Sequence, residues 1–272
     1  MKKQSKLLAL LLACAMTLAL SACGGSSATT STPASSAASA ASGSAASAAS
    51  GSAAATGDKT YTIGICQLVQ HNALDAATKG FTDALKEALG DKVEVVEKNA
   101  SGDSNNCSTI VNGFISDKVD LIMANATAAL QACANATSTI PVVGTSVTSF
   151  AAALDIELDD NGCTGINVTG TNDLAPLDQQ AQIIADLFPD VKQVGILYCS
   201  AEVNSVYQAE HIASYLDDLN IKHKDFSFSD SNDLQSVTNN CVSECDVIYV
   251  PTDNVVSSNQ SIIDTVARPA GV

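Results

Sequence analysis

The sequence predicts an α/β protein with two lobes, each built around a parallel sheet. From residue 59 onwards, short apolar runs rich in β-branched residues alternate with amphipathic helical patterns. An irregular stretch over residues 149–171, with the turn signal Asp159-Asp160-Asn161-Gly162, divides this alternation into two runs. Each run has about 105 residues, which is an ordinary size for one domain. Alternating strands and helices predict βαβ units, whose sheets are covered by helices on both faces.

The first run begins with a strand over residues 61–66 and a helix over 72–89 that ends before Gly90. A second strand is predicted over 93–97, and Asp103 and Ser104 are candidate caps for the helix that follows. Residues 121–124 predict a short buried strand, and 127–136 predict a helix. A strand over 140–143 completes this run, with Pro141 near its start, where no ladder donor is lost.

The second run begins with a helix over residues 177–187, which Pro189 stops. Strands are predicted over 194–198, 221–228 and 247–250, with helices over 204–219, 233–241 and 258–266 between and after them. The sequence then ends at Val272, where the alternation calls for another strand. We therefore expect the second lobe to be incomplete, and such a chain to be unstable and to bind poorly. A short natural terminus with a frayed last helix is the alternative.

The amino terminus has the pattern of a secretory signal. Lys2, Lys3 and Lys6 precede an apolar run over residues 7–20, which is shorter than a membrane-spanning helix. The ending Leu20-Ser21-Ala22-Cys23 resembles a bacterial lipobox, in which Cys23 receives lipid and becomes the first mature residue. Two acyl chains give stable anchoring to a membrane. A plain secretory signal with an incidental cysteine is the alternative.

These patterns divide the chain into four segments. Residues 1–22 are predicted to be a signal peptide, and residues 23–58 a lipidated cysteine with a disordered tether of Ser, Ala, Gly and Thr. Residues 59–168 are assigned to lobe 1 and residues 169–272 to lobe 2. The predicted location is the extracytoplasmic face of a bacterial cell membrane.

The charge and cysteine content exclude several function classes. The chain has 29 Asp and Glu against 13 Lys and Arg, a formal net charge of −16, so nucleic acid is not expected as a partner. Seven cysteines follow Cys23, and an odd, scattered set does not predict a disulfide framework. Neither a zinc ligand set nor any cofactor motif is recognisable, so no metal or cofactor is predicted.

Polar residues cluster where the predicted strands end. Ligands of parallel α/β sheets bind beyond the carboxyl ends of the strands, often at helix N-termini. Two lobes whose strand ends face each other would enclose a polar slot that closes by hinging. The candidate ligand contacts are Gln67, Thr127, Thr145, Ser146, Ser200, Glu202, Asn204, Ser205, Asp253 and Asn254.

Each of these residues also has a purely structural interpretation. Thr127 and Asn204 are good helix caps, and the carboxylate of Glu202 suits the first turn of a helix without any ligand. The number of polar residues at each strand end, three or four, exceeds what capping requires. We therefore interpret the set as a binding site, with Glu202 and Asp253 as candidate partners of a ligand ammonium.

No catalytic motif supports an enzyme. The spacing from Gly165 to Gly170 resembles a phosphate-binding loop, but Thr171 and Asn172 stand where Lys and Ser or Thr are needed. A nucleophile elbow is missing, and His71 and Cys66 do not match a known base–nucleophile signature. If the protein is nevertheless an enzyme, the alternative is a lipid-anchored surface hydrolase.

Four motifs in order resemble those of the ABC transporter substrate-binding lipoproteins of the tryptophan/tyrosine type. They are Ile63-Gly-Ile-Cys-Gln-Leu-Val-Gln-His-Asn-Ala-Leu-Asp75 with Lys79-Gly80-Phe81, Gly165-Ile-Asn-Val-Thr-Gly-Thr-Asn-Asp-Leu174, residues 197–205, and Val250-Pro-Thr-Asp-Asn254. The resemblance covers residues 61–272. It implies a type I periplasmic-binding fold, in which two Rossmann-like lobes close on a small ligand, and delivery to a membrane permease and its ATPase.

The resemblance implies an aromatic or other hydrophobic amino acid as ligand. By position, Gln67, Thr127 and Thr145 would be contacts from lobe 1. Ser200, Glu202, Asn204 and Asp253 would come from lobe 2. The family usually has an Asp-Pro-like pair where Ser149-Phe150 stand here, which leaves the ligand's identity open.

Other ligands and roles stay open. Branched-chain amino acids and nucleosides are the alternative ligands, whereas sugars are disfavoured because the chain has no Trp and few aromatic residues. A ligand-binding sensor lipoprotein of the same fold is the alternative role. The leading prediction is a binding module for import that leaves its ligand chemically unchanged.

Overall fold

The structure is a computed structural model that describes residues 59–272. The predicted signal peptide, the lipidation of Cys23 and the tether lie outside these residues. None of the helices within residues 59–272 has both the length and the apolar character that a membrane span needs.

Two parallel sheets organise the described residues, and we name the body around each sheet lobe 1 and lobe 2. The lobe 1 sheet has the order β2-β1-β3-β4-β5, and the lobe 2 sheet has the order β7-β6-β8. Every pairing between neighbouring strands is parallel. The strands are β1 (Tyr61–Gln67), β2 (Val93–Asn99), β3 (Leu121–Asn125), β4 (Val142–Val147), β5 (Val168–Asn172), β6 (Val194–Cys199), β7 (His223–Phe228) and β8 (Val247–Tyr249). The predicted α/β class with two lobes is confirmed.

Helices follow the strands in both lobes, as the alternation predicts. They are α1 (Asn72–Leu89), α2 (Ser104–Ser116), α3 (Thr127–Ala136), α4 (Phe150–Leu154), α5 (Leu177–Leu187), α6 (Val203–Asp218), α7 (Ser231–Glu244), α8 (Asn254–Ser258) and α9 (Gln260–Ala270). A short 3₁₀ turn, Gly90–Lys92, follows α1. The bounds of α1, α3 and α5 are those predicted from the apolar spacing and the flanking Gly and Pro residues. Asp103 caps α2 as expected, because its side chain accepts a hydrogen bond from the Asn105 N–H at 2.8 Å.

Two regions differ from the prediction. The irregular stretch contains α4 and β5, and β5 pairs with β4 at the edge of the lobe 1 sheet. Only Val168 of this strand is buried, so it lacks the apolar run by which a strand is recognised. Since β5 reaches Asn172, the boundary placed at residues 168 and 169 falls inside this strand. The single helix predicted over residues 258–266 is replaced by α8 and α9, which meet at Asn259.

The lobe 2 sheet is covered on both faces, which fixes the orientation of its central strand. Ile196 packs with α5 and α6 on one face. Leu197, the next residue, packs with Leu234 of α7 on the other face. Because β6 is central, all its side chains except that of Tyr198 are buried. The last residue of β6, Cys199, pairs with Phe228 at the end of β7.

Candidate functional site

A cavity of about 320 Å³ lies where the carboxyl ends of the two sheets face each other; we name it the cleft cavity. Lobe 1 contributes residues that follow β1 and β2 and the first turn of α3. Lobe 2 contributes the β6–α6 and β7–α7 loops and α8. This volume is at the lower end of the range for small-molecule sites, which is about 300–1,000 Å³. A solute of amino-acid size therefore fits between the lobes.

The lining of the cleft cavity combines aliphatic walls, serine residues and acidic groups. The aliphatic part comes from Leu68, Val69 and Val255. Serines of both lobes line it, namely Ser101, Ser104, Ser229, Ser231 and Ser258. Glu202 and Asp230 are its acidic members, and among the described lining residues there is no Lys or Arg. Backbone N–H groups are therefore the positive partners that these walls offer to an anionic group.

The first turn of α3 is the helix start best suited to an anion. Asp103 and Asp230 cap α2 and α7, because each accepts a hydrogen bond of 2.8 Å from a backbone N–H of its own helix. Among the described residues no side chain caps α3, whose N-cap is Ala126, and Ala128 of its first turn lines the cleft cavity. Uncapped N–H groups and the positive end of the helix dipole favour a carboxylate at this position.

Ala126 holds this helix start in an unusual backbone conformation. Its φ of 93° and ψ of 159° belong to a region that is essentially reserved for glycine. The residue is buried, and its N–H donates to the Thr145 carbonyl at 3.0 Å. Lobe 1 thus fixes the direction from which α3 enters the cleft.

Glu202 is the carboxylate of lobe 2 that lines the cleft cavity. Its Oε2 accepts hydrogen bonds from the side chains of Asn204 and Asn254, both at 2.9 Å, and from the Asn254 N–H at 3.1 Å. Its Oε1 accepts one from the Val255 N–H at 3.2 Å. Burial raises the pKa of this carboxyl and the nearby charge of Asp253 adds to the effect, while the amide donors oppose it. Oε1, with one donor, keeps capacity for a cationic group of a ligand.

Asp253, a predicted partner of a ligand ammonium, is buried within lobe 2 and is not among the residues that line the cleft cavity. It is 1% exposed, and its Oδ2 accepts the Cys199 N–H at 2.7 Å. Its Oδ1 caps α8 by accepting the Val256 N–H at 2.9 Å. Both oxygens face backbone donors of lobe 2, so this carboxylate ties the start of α8 to the end of β6.

Gln67 is likewise occupied by other groups of the protein. It is 1% exposed, its Nε2 donates to the Val69 carbonyl at 2.9 Å and to Asp75 Oδ1 at 2.7 Å, and its Oε1 accepts the Thr78 hydroxyl at 2.6 Å. Asn125 extends this buried network by donating to Thr78 Oγ1 at 3.0 Å. The network fastens α1 to the ends of β1 and β3, and Gln67 does not line the cleft cavity.

Thr127, Asn204 and Ser205 are also predicted contacts that lie away from the cleft cavity. Thr127 and Asn204 both border a gap between residues of the two lobes that is too small to hold a water molecule. Ser205 is fully buried, and its hydroxyl donates to Glu202 Oε2 at 3.4 Å. Asn204 and Ser205 therefore hold the carboxylate of Glu202, which lines the cavity.

The remaining predicted contacts lie in three different places. Ser200 donates its hydroxyl to the Phe228 carbonyl at 3.0 Å. Thr145 lines a separate hollow beside α1, and Ser146 has a φ of 56° where the register of β4 and β5 shifts. Asn254, together with Glu202, does line the cleft cavity. The structure thus brings two of the ten predicted residues into the cavity wall.

Several residues of the cavity wall are not among those predicted from the sequence. Ser101 and Ser104 follow β2, and Ser229 and Ser231 follow β7, two strands whose ends carry none of the predicted contacts. The same rule, that ligands bind beyond the ends of parallel strands, identifies them once it is applied to every strand.

Two side-chain hydrogen bonds join the lobes within residues 59–272. The Gln208 side chain donates to Thr148 Oγ1 at 3.2 Å, and both residues are buried. His71 Nε2 lies 3.3 Å from Asn254 Oδ1. The lobes are therefore in polar contact at two separate places.

The seven cysteines within the described residues are all free thiols, and six of them are buried. Burial raises the pKa of Cys133 to about 12 and that of Cys199 to about 11. Protonated, buried thiols are poor nucleophiles and poor metal ligands. Within residues 59–272 no cluster of His, Cys, Asp and Glu has the arrangement of a metal site.

Comparison with known families identifies the group to which this architecture belongs. Residues 62–271 match the family described as "ABC transporter substrate binding protein". The chain belongs to this family. The predicted resemblance is thereby confirmed, and the family is one of transporter binding proteins.

A relative with an assigned ligand supports the same grouping. The tyrosine-binding protein of Clostridioides difficile (strain R20291) is 36% identical over 214 residues, which cover 77% of this chain and 61% of the relative. The chain thus spans about three fifths of the length of this curated relative.

Two solved structures are similar to this chain in fold and sequence. The ABC domain from Streptococcus pneumonia in complex with L-Trp is 31% identical, with a TM-score of 0.74. A ligand-free, open substrate-binding protein with adhesive properties from Clostridium difficile is 34% identical, with a TM-score of 0.55. Both alignments cover 78% of this chain and 72% of the other. The type I periplasmic-binding fold is confirmed.

Proposed function

We propose that the chain is the extracytoplasmic solute-binding component of an ABC importer and that it binds an aromatic or other hydrophobic amino acid. The observation that carries this proposal is the cleft cavity, about 320 Å³ in volume, between the strand ends of the two lobes. Its size, its aliphatic walls and its position suit one amino acid. The tyrosine-binding relative and the L-Trp complex support an aromatic side chain.

The ligand's two charged groups have separate partners in this proposal. The α-carboxylate binds at the uncapped first turn of α3, where Ala128 lines the cavity. The α-ammonium approaches Glu202 Oε1, which has one protein donor at 3.2 Å. The side chain lies against Leu68, Val69 and Val255. Glu202 and Asn254 are thus kept as ligand-site residues among those predicted from the sequence.

The proposed protein binds its ligand and releases it unchanged to a membrane permease driven by an ATPase. Among the described lining residues, no nucleophile has a base and an orienting group beside it. The one cysteine that lines the cavity, Cys199, is buried, and its pKa is raised to about 11. This environment favours binding over covalent chemistry.

A ligand panel tests the proposal. The full-length protein is heated with L-Trp, L-Tyr, L-Phe, L-Leu, a hexose or a nucleoside, and the unfolding temperature is compared with that of the free protein. We expect the largest rise from an aromatic amino acid, because a ligand at 100 times its Kd adds about 2.7 kcal/mol of stability. A rise with the hexose or nucleoside alone contradicts the proposed ligand class.

Two matched variants locate the carboxylate. Ala128→Asp places a negative charge at the first turn of α3, inside the cavity, and should weaken amino-acid binding by at least about tenfold through repulsion. Ala73→Asp places the same charge in the first turn of α1 at an exposed position outside the cavity wall. Equal affinity in the two variants contradicts the assignment.

The lipid anchor at Cys23 is part of the proposal and is tested separately. Cys23→Ala should release the protein from cells into the medium and abolish incorporation of a labelled fatty acid. Retention on the cell with unchanged labelling contradicts lipidation at Cys23.

A further inference from the structure

His71 and Asn254 form a polar contact at the edge of the cleft, between lobe 1 and lobe 2. His71 is the N-cap residue of α1, and Asn254 is the first residue of α8. His71 Nε2 lies 3.3 Å from Asn254 Oδ1, although 183 positions separate the residues in the chain. The contact therefore depends on the arrangement of the lobes and not on local structure.

The partners of Asn254 determine which atom donates. Its Nδ2 donates to Glu202 Oε2 at 2.9 Å, and its backbone N–H donates to the same oxygen at 3.1 Å. An amide oxygen only accepts, so His71 must carry a proton on Nε2 and donate it. The result is a directed chain of hydrogen bonds from lobe 1 through Asn254 to Glu202.

Glu202 is the end of this chain, and it is the carboxylate that lines the cleft cavity. We propose that His71 is a positioning residue that couples closure of the lobes to the orientation of Glu202 toward a ligand ammonium. This inference rests on the proposed function, because it assigns a regulator to the same amino-acid site. His71 itself is not among the residues that line the cavity.

The coupling follows from the location of the donor and the acceptor on different lobes. When the lobes separate, His71 moves away from Asn254, and the amide that holds Glu202 loses its partner on Oδ1. A contact that exists in one state only favours that state, whereas a contact present in both states shifts nothing. The hydrogen bond therefore stabilises the closed arrangement in which Asn254 and Glu202 are held together.

The expected size of the effect is that of one hydrogen bond. Loss of the His71 donor should reduce amino-acid affinity about two- to tenfold. The buried Gln208–Thr148 contact persists in such a variant, so the lobes keep their other polar connection. His71 is only partly buried, and its replacement should therefore leave the fold intact.

The test uses the full-length protein with His71→Ala, His71→Gln, Asn254→Ala and the double variant His71→Ala/Asn254→Ala. His211→Ala is the control, because His211 is an exposed histidine of α6 whose Nδ1 contacts the Tyr207 carbonyl of its own helix. Affinity is measured by calorimetry with L-Trp and L-Tyr. The fraction of closed molecules is measured by small-angle scattering with and without amino acid.

We expect His71→Ala to weaken binding and to increase the radius of gyration of the ligand-free protein, while His211→Ala changes neither. His71→Gln should recover most of the affinity, since its side-chain amide can donate at a similar reach. In the Asn254→Ala background, His71→Ala should have no further effect. An unchanged affinity in His71→Ala, or the same loss in both backgrounds, overturns the coupling.

Failure of the proposed function gives a different pattern. If the wild-type protein binds none of the amino acids, the ligand assignment is wrong and the scattering of the ligand-free variants alone decides the inference. A more open His71→Ala protein then supports the contact as a closing device. An unchanged radius of gyration overturns it.

Discussion

The carboxylate of Asp253 accepts the backbone N–H of Cys199 at 2.7 Å, and this contact ties α8 to the end of β6. The second oxygen caps α8 through the Val256 N–H at 2.9 Å. Because α8 supplies Asn254 and Val255 to the cleft cavity, Asp253 sets the position of that wall without lining the cavity itself. A residue that the sequence suggests as a ligand partner is thus part of the frame around the ligand.

Replacement of this buried carboxylate should destabilise lobe 2. Asp253→Asn keeps the shape but turns an amide N–H₂ toward one of two backbone donors, which leaves that donor without an acceptor. We expect a loss of about 2 kcal/mol or more in the free energy of unfolding, measured in urea. Asp91→Asn, at an exposed position of the 3₁₀ turn, should change it by less than about 0.5 kcal/mol. Equal effects of the two substitutions would contradict this role.

Glu202 should make stability depend on pH in a direction opposite to that of a salt-bridged acid. Burial and the charge of Asp253 raise its folded-state pKa above the ordinary value of 4.5, so the folded protein holds this proton more tightly than the unfolded chain. The contribution of Glu202 to the free energy of unfolding is therefore fully present below pH 4.5. It is lost as pH rises through the folded-state pKa.

The variant Glu202→Gln isolates this effect because it does not titrate. Urea unfolding of both proteins from pH 4 to pH 7 gives the difference in free energy, wild type minus variant, at each pH. We expect this difference to fall as pH rises. A difference that grows with pH would mean that the folded protein prefers the ionised carboxylate.

Gly195 is a position of β6 where packing excludes any side chain. A Cβ atom there would lie 2.2 Å from the Sγ of Cys241. Gly195→Ala should therefore destabilise the protein by about 1–3 kcal/mol, as overpacking of a buried core does. The double variant Gly195→Ala/Cys241→Ala should recover part of that loss, because the second change removes the obstructing sulfur.

An unobstructed glycine provides the control for that experiment. Gly80 lies in α1, and beyond the backbone of its own helix no described atom comes within 4 Å of the place that a Cβ would take. Gly80→Ala should therefore stabilise the helix by about 0.5–1 kcal/mol. The free energy of unfolding is measured in urea for Gly195→Ala, Gly195→Ala/Cys241→Ala and Gly80→Ala, each relative to the wild type. Destabilisation by Gly80→Ala, or failure of Cys241→Ala to relieve Gly195→Ala, would contradict this account of the packing.

Ala126 should be one of the few positions where glycine stabilises the protein. Its backbone lies in a region that costs a residue with a side chain about 1–3 kcal/mol. Ala126→Gly removes that strain, although the greater entropy of the unfolded chain offsets about 1 kcal/mol of the gain. Ala134→Gly, in the interior of α3, should instead destabilise by about 1 kcal/mol. The unfolding temperature should rise in Ala126→Gly and fall in Ala134→Gly, each compared with the wild type.

Much of the fold was predictable because its local signals agree with its packing. The helix over Asn72–Leu89 has a clear apolar face and ends at Gly90, and the observed α1 has these bounds. The edge strand β5 escaped prediction because Val168 is its only buried residue. An edge strand can form its backbone hydrogen bonds without apolar side chains. Its sequence therefore lacks the apolar pattern by which strands are predicted.

The site was less predictable than the fold. Residue type and position at a strand end suggest Glu202 and Asn254, and both line the cleft cavity. The same reasoning suggested Gln67 and Asp253, whose polar atoms are occupied by partners such as Thr78 and the Cys199 N–H. Whether a polar side chain faces a ligand or its own protein depends on contacts between distant segments, which spacing in the sequence does not specify.

The most direct test of the central claim is a crystal structure of the full-length protein grown with the amino acid that gives the largest thermal shift. We expect one unmodified amino acid in the cleft cavity, with its carboxylate at the first turn of α3 near Ala128 and its ammonium beside Glu202. An amino acid bound outside this cavity, or the reverse orientation inside it, would contradict the account.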